Sequence, residues 1–357
     1  MKKILVVDDS ALMRRVLCDI IEKDERFQVA DRARNGLEAL ELLEKNTYDA
    51  VVLDVNMPQM TGLQLLKELQ KRKIPAKVMM ASTDTKEGAK TTMDALELGA
   101  LDFVHKPNNA IDCRENDFAQ TFLRTLEGVV ESKPPVFGRT FAIESLKTAK
   151  QVVEIVRKHS SSIAGSRIVA VASSTGGPKA LHSVVTKLPK NLKAPVVIVQ
   201  HMPAGFTESL AERLNSLSEL TVSEGRDGET LENGHVYIAK GGRHLNIDAK
   251  AGGKHVIRYS DEPTREGVRP CANYMYESLA KSSFDEVLCV VMTGMGADGT
   301  VGIEHLKQSK KVHVIAQEQS TCAVYGMPRS VVKAGLSDQT VPLDQIAQEI
   351  ILNVGVM

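Results

Sequence analysis

The sequence favours neither sign of charge, with 45 Lys plus Arg against 45 Asp plus Glu in 357 residues. It therefore has no global basic field to recruit nucleic acid or anionic lipid. Cysteine is sparse too. The five (Cys18, Cys113, Cys271, Cys289, Cys322) are odd in number and scattered, with no C-x-x-C pair. That argues against a disulfide framework or a zinc site and for reduced thiols. No apolar run approaches the roughly 20 residues that span a bilayer. Lys2 and Lys3 precede only four apolar residues before Asp8 and Asp9, too few for a signal peptide. No internal repeat or low-complexity tract stands out. These absences predict a cytoplasmic protein without nucleic-acid partners or direct membrane insertion. What is present is 43% hydrophobic, enough for real cores, and the length suits two domains.

The first 130 residues alternate apolar strands with helical spacing. Strands are expected at Ile4–Val7, Gln28–Ala33, Ala50–Leu53, Lys77–Ala81 and Leu101–Val104. Helices are expected after each, and Ser10 is a candidate cap for the first. Five strand–helix units make a parallel doubly wound sheet. Ligands of such sheets sit beyond the carboxyl ends of the strands, where Asp8, Asp9, Asp54, Ser82 and Lys106 fall. Crowded carboxylates repel unless a cation joins them, and hard oxygen ligands suit Mg²⁺. A carboxylate beside Mg²⁺ can act as a nucleophile toward phosphorus. Any one of these groups could merely decorate a loop, but five at consistent strand ends argue for a site.

The motifs LVVDDS, LDVNMP, MMAS, ELGALDF and HKP make residues 1–130 resemble a response-regulator receiver domain. The resemblance implies that Asp54 accepts phosphate and that Asp8, Asp9, Asp54 and the Asn56 carbonyl hold Mg²⁺. It also implies Ser82 as switch hydroxyl, Phe103 as switch aromatic and Lys106 as phosphate contact. Residues 131–166 include Pro134-Pro135 and Gly138, then helical spacing over 143–156. They read as a partly helical linker.

The second half is organised around Arg167–Leu181, RIVAVASSTGGPKAL. A run of small and β-branched residues predicts a buried strand. Two glycines allow a tight turn, and Pro178 suits the first turn of a helix. A serine here faces free N–H groups at a helix start, which suits oxyanion stabilisation and phosphate binding alike. Further core strands are expected at 194–199, 285–292 and 312–316, with helices at 206–217, 301–306 and 325–334. The 325–334 helix is expected to close the domain. Alternation around Gly-rich turns over Thr221–Tyr259 suggests antiparallel hairpins. Ser174, His201 and Asp298 then lie at or just beyond the ends of different strands. Serine needs a base, imidazole is the usual one, and a buried carboxylate would fix its tautomer. The order Ser, His, Asp, and Ala172 in place of the first glycine of G-x-S-x-G, both exclude the α/β-hydrolases.

The motifs SSTGGP, QHMPAGFT, YIAKGGRHL, TGMGADG, AQEQSTC and YGMPRS make this half similar to the catalytic domain of chemotaxis protein-glutamate methylesterases. That resemblance implies a phosphorylation-controlled hydrolase. It would remove methyl groups from glutamate γ-esters on methyl-accepting chemoreceptors and deamidate receptor glutamines. A chemotaxis histidine kinase would supply phosphate, and ester hydrolysis would need no cofactor. By position, Ser174 is the nucleophile, His201 the general base and acid, and Asp298 the orienting carboxylate. The Met295 N–H becomes an oxyanion donor, and Thr175 helps position His201. Ala172-Ser173, Lys240 and Asn273 depart from the usual family pattern, and Lys240 and Asn273 bear on the expected substrate groove. The implied organisation is receiver 1–130, linker 131–166 and esterase 167–357, the esterase being α/β with a mainly parallel sheet. A receiver ahead of an esterase suggests a gate. Two rivals are a DNA-binding response regulator, disfavoured by the absence of a basic helix-turn-helix, and a receptor-binding pseudoenzyme without hydrolysis.

Overall fold

The computed structural model describes residues 1–83, 86–107, 116–134 and 165–357. Two compact units divide the chain, Met1–Arg139 and Thr140–Met357. Most of the expected linker, including its helical stretch at 143–156, lies outside the described residues, as does Cys113. The other four cysteines are buried and form no disulfide.

The first unit has strands β1 (Lys2–Val7), β2 (Phe27–Ala33), β3 (Ala50–Asp54), β4 (Val78–Thr83) and β5 (Asp102–Lys106). All pair in parallel, in the order β2-β1-β3-β4-β5. Helices α1 (Ala11–Glu22), α2 (Gly36–Lys45), α3 (Gly62–Arg72), α4 (Lys86–Glu97) and α5 (Asn116–Glu131) alternate with them. Ser10 caps α1 as expected, its hydroxyl accepting from the Met13 N–H. The chain leaves β1 toward one side of the sheet and β3 toward the other. The crevice at that switch point opens beside Asp8, Asp9 and Asp54.

The second unit begins with β6 (Arg167–Ser173), followed by α6 (Gly177–Val185), β7 (Val196–Gln200), α7 (Phe206–Leu217), β8 (Thr221–Glu224) and β9 (His235–Ile238). Next come β10 (His244–Ala249), β11 (His255–Ser260), α8 (Ala272–Leu279), β12 (Glu286–Val291), α9 (Thr300–Lys307) and β13 (Lys311–Gln317). The last elements are α10 (Met327–Lys333), β14 (Gln339–Val341) and α11 (Leu343–Val354). Seven strands form one parallel sheet, β14-β13-β12-β6-β7-β9-β8. The alternate residues Ile168, Ala170 and Ala172 join a core with Met275, Tyr276, Ile303, Leu306, Met327 and Val331 of α8, α9 and α10. With alternate side chains on opposite faces, Val169 and Val171 turn to the other side, where α6 and α11 pack.

Two expectations change. The region Thr221–Tyr259 holds one antiparallel hairpin, β10–β11, turning at Gly252-Gly253, while β8 and β9 join the parallel sheet. Alternation of polar and apolar residues reports which face of a strand is buried, not the direction of its neighbour. The domain is closed by α11, not by α10. The signal for α11 was present, since Ile346, Ala347, Ile350, Ile351 and Val354 recur at helical spacing and are all buried. Helix α8 is not among the expected elements, and it matters to the site.

Candidate active site and receiver site

β6 is flanked by β7 on one side and β12 on the other, so the loops that follow these three strands converge. Ser174 follows β6, His201 follows β7, and Asp298 lies in the loop between β12 and α9. The junction after β6 turns sharply, with Gly176 at φ +75°. The Ser174 N–H donates to the Thr293 carbonyl at 3.0 Å, and the His201 N–H donates to the Ser173 carbonyl at 3.1 Å. These bonds knit the three loops at their backbones.

His201 Nε2 lies 2.7 Å from Asp298 Oδ2. An ionised carboxylate only accepts, so Nε2 carries the proton and Nδ1 keeps a lone pair. Nδ1 is buried and has no hydrogen-bond partner among the described residues. The Ser174 hydroxyl is likewise uncommitted among them, whereas the Ser173 hydroxyl is wholly buried and donates to Gln200 Oε1 at 2.7 Å. The two adjacent serines are thus chemically distinct.

Asp298 is 1% exposed. Besides His201, it accepts from the Ala272 N–H at 2.6 Å, the Asn273 N–H at 2.9 Å and the Cys271 thiol at 3.0 Å. The two N–H groups open α8, whose dipole also favours a negative charge there. Burial alone would raise this carboxyl. Hydrogen bonds from His201, Cys271 and Ala272 and the nearby imidazole outweigh it, lowering the pKa to about 2. Burial, with Asp298 alongside, pushes the Cys271 thiol up, so it stays protonated and donating.

Asn273 does not wall a groove. It is wholly buried, and its Oδ1 accepts from the Gly299 and Gly302 N–H groups at 3.1 and 2.7 Å. One residue therefore grips Asp298 through its backbone and the start of α9 through its side chain. Lys240 is exposed, and its backbone N–H donates to the Tyr259 hydroxyl at 2.8 Å. A proline there could not make that bond. Thr175 enters through its carbonyl, which accepts from the Thr293 hydroxyl at 2.9 Å. Its own hydroxyl does not reach His201, because Nε2 is on Asp298 and Nδ1 has no partner. The Met295 N–H makes no hydrogen bond among the described residues.

In the first unit, one carboxylate oxygen each from Asp8, Asp9 and Asp54 lies within 4.8 Å of the others. Lys106 Nζ donates to Asp8 at 2.9 Å and to Asp54 at 2.5 Å. Burial raises the Asp54 carboxyl, with Asp8 adding to it and Lys106 opposing. Burial disfavours the Lys106 charge, but Asp54 and Asp8 outweigh it and raise its pKa. Three hard oxygen donors so close fit a divalent cation such as Mg²⁺. The Asn56 carbonyl, which accepts no hydrogen bond among the described residues, is a further oxygen donor. Ser82 is buried at the end of β4, with its hydroxyl 3.5 Å from the Gly88 carbonyl, and Phe103 is buried on β5.

Comparison with known proteins identifies both units. A model of the CheB methylesterase matches residues 169–350, and one of the response regulator receiver domain matches residues 4–116. The chain belongs to the CheB methylesterase family. A relative from Geobacillus kaustophilus (strain HTA426), named protein-glutamate methylesterase/protein-glutamine glutaminase, is 42% identical over 99% of this chain and 99% of its own. A Bacillus subtilis (strain 168) protein of the same name is 40% identical over 98% of each chain. The crystal structure of the Thermotoga maritima CheB methylesterase catalytic domain is 43% identical, with a TM-score of 0.50. It covers 53% of this chain and 98% of that one. Membership of the CheB family carries the two-part organisation and the hydrolase class. It excludes a DNA-binding output domain in the second half.

The sequence pointed to His201 and Asp298 but not to the cradle around them. The Ala272 and Asn273 N–H groups carried no signal, because a backbone N–H has no side-chain signature, and the Cys271 thiol stood out only as one of five scattered cysteines. The signal that could have found them is the start of an amphipathic helix after Pro270.

Proposed function

We propose that this CheB-family enzyme hydrolyses glutamate γ-methyl esters on chemoreceptors, and deamidates receptor glutamines, through Ser174, His201 and Asp298. The observation that carries the mechanism is the His201–Asp298 bond, which leaves Nδ1 as a free base. Nδ1 takes the Ser174 proton as Oγ attacks the γ-carbonyl carbon. The C=O pair moves onto oxygen, where the Met295 N–H is a candidate donor. Collapse expels methoxide, which leaves as methanol with the proton from Nδ1. Water then attacks the γ-glutamyl ester of Ser174 by the same route, returning the proton to Oγ and releasing the glutamate side chain. With glutamine the leaving group is ammonia, which needs the Nδ1 proton more. Throughout, Asp298 stays ionised and stabilises the imidazolium.

The first unit acts as the control element. A chemotaxis histidine kinase would donate phosphate to Asp54, and Asp8, Asp9, Asp54 and the Asn56 carbonyl would hold Mg²⁺. When bound, the cation would neutralise charge during phosphoryl transfer. Lys106 would contact the new phosphoryl group, and Ser82 and Phe103 would relay its arrival. The boundaries that suit this reading are a receiver over 1–130, a linker over 131–166 and an esterase over 167–357. No helix among the described residues is long and apolar enough to cross a membrane, as suits an enzyme working on receptor segments in the cytoplasm. Methanol release from methylated receptor tests the reading. The wild-type chain should release it and Ser174→Ala should not. A folded wild-type chain that bound receptor and released none would be the pseudoenzyme instead.

A further inference from the structure

Gln200, the last residue of β7, is 1% exposed, and its side-chain amide touches both peptides that carry the hydrolytic groups. Nε2 donates to the Ser174 carbonyl at 2.9 Å and to the His201 carbonyl at 3.3 Å. Oε1 accepts from the Ser173 hydroxyl at 2.7 Å. Two carbonyls can only accept, so the nitrogen must face them, and the amide orientation is fixed by its neighbours. The Ser174 carbonyl is held a second time by the Gly177 N–H at 2.7 Å. Residue 177 has to be glycine for this to fit. A Cβ there would lie 2.0 Å from Gln200 Oε1 and 3.0 Å from the Ser173 Cβ.

We infer that Gln200 is a positioning residue for hydrolysis, locking the backbone of Ser174 to that of His201 across the β6–β7 boundary. The inference rests on the triad reading above. The parallel ladder ends with Ser173 against Gln200, so Ser174 and His201 lie just past the last paired residues. Beyond that point the His201 N–H on the Ser173 carbonyl and the Ser174 N–H on the Thr293 carbonyl hold the backbones, and the amide adds a direct tie between the Ser174 and His201 peptides. It fixes where Ser174 Oγ sits relative to His201 Nδ1, and an error of about 1 Å in such a placement costs about 100-fold in rate. Ser173 serves the amide as a donor, which gives its buried hydroxyl a role away from the chemistry.

The test compares Gln200→Met, Gln200→Glu and Ser174→Ala in the full-length chain. Methylated receptor is the substrate, and melting temperature is measured alongside. Met keeps the length of Gln200 and removes every hydrogen bond. Buried beside two carbonyls, Glu is expected to stay protonated and keep one donor. Expected is a fall in kcat of about 10- to 100-fold for Gln200→Met, with KM within about twofold. Gln200→Glu should recover part of kcat, and labelling of Ser174 by a fluorophosphonate should slow in the same order. Wild-type kcat in a folded Gln200→Met, whatever its melting temperature, would overturn the inference while an inactive Ser174→Ala left the triad standing. If Gln200→Met fails to fold, Gln200→Glu decides by the same criterion. An active Ser174→Ala would instead sink the triad reading itself.

Discussion

Replacing Asp298 by asparagine separates its two roles. The amide keeps the size of the carboxylate but presents a donor or a weaker acceptor to His201, so the imidazole tautomer is no longer fixed. We expect a folded Asp298→Asn variant whose methanol release falls by about 10⁴-fold. Near-normal turnover would make Asp298 a turn residue only. Because its pKa in the fold is lowered to about 2, below the ordinary value near 3.8, its ionised form stabilises the fold above pH 4. That contribution, of the order of 2 kcal/mol, is lost as pH falls from about 4 through 2. The melting-temperature gap between wild type and Asp298→Asn should therefore close over that window. At the same scale, Ser174→Ala should abolish hydrolysis and Ser173→Ala should leave most of it, as scored by methanol release. A serine-directed phosphonate recovered on Ser173 would reverse the two. That the two serines must differ was legible in the sequence, since neighbours at a strand end point opposite ways, whereas the choice of Ser174 rested on the family resemblance. That Thr175 does not reach His201 was not legible, because a hydroxyl's partner depends on torsions that spacing does not report.

Among elements, α8 does most for the site and left least trace in the sequence. It runs for eight residues, begins after a cis Arg269–Pro270 peptide, and offers backbone groups where a motif search looks for side chains. Asn273 joins it to α9. Asn273→Ala would leave the Gly299 and Gly302 N–H groups buried without their acceptor. Each lost partner costs about 1–3 kcal/mol, so we expect a destabilisation of about 2 kcal/mol or more by denaturant titration. Turnover should fall with it, because Asp298 stands directly before Gly299. An unchanged midpoint would show that water or a shifted loop replaces the amide. The strands carrying Ser174, His201 and Asp298 were readable from β-branched runs, whereas β8 and β9 were misassigned to hairpins. Their alternation has the same period whichever way the next strand runs, and only the ten-residue connection between them hinted at a parallel return.

At the scale of the whole chain, stimulation by phosphate should run through Asp54. Asp54→Asn should retain the unstimulated rate and lose stimulation by acetyl phosphate, measured as methanol release. Removing Mg²⁺ with a chelator should do the same to the wild-type chain, since ester hydrolysis is expected to need no metal. A tenfold stimulation corresponds to about 1.4 kcal/mol, well within reach of a phosphoryl group carrying up to about two negative charges. Deleting residues 1–135 should raise the unstimulated rate on receptors, and the direction of the change separates repression from activation. A faster truncated enzyme means that the unphosphorylated receiver holds the rate down, and a slower one means that it lends support.

The strand order of the second unit also bears on how the enzyme comes into being. β6 leaves the ribosome first yet ends in the middle of the sheet, with β7 on one flank and the much later β12 on the other. The nucleophile is thus synthesised long before the carboxylate that completes its site. Such non-local pairing is slow to form, because a long loop must close before any contact rewards it. A nascent chain still lacking β12 carries its serine and its histidine but no Asp298 to orient them. Competence for hydrolysis arrives late in synthesis, and a product ending before residue 298 lacks the carboxylate that orients its base.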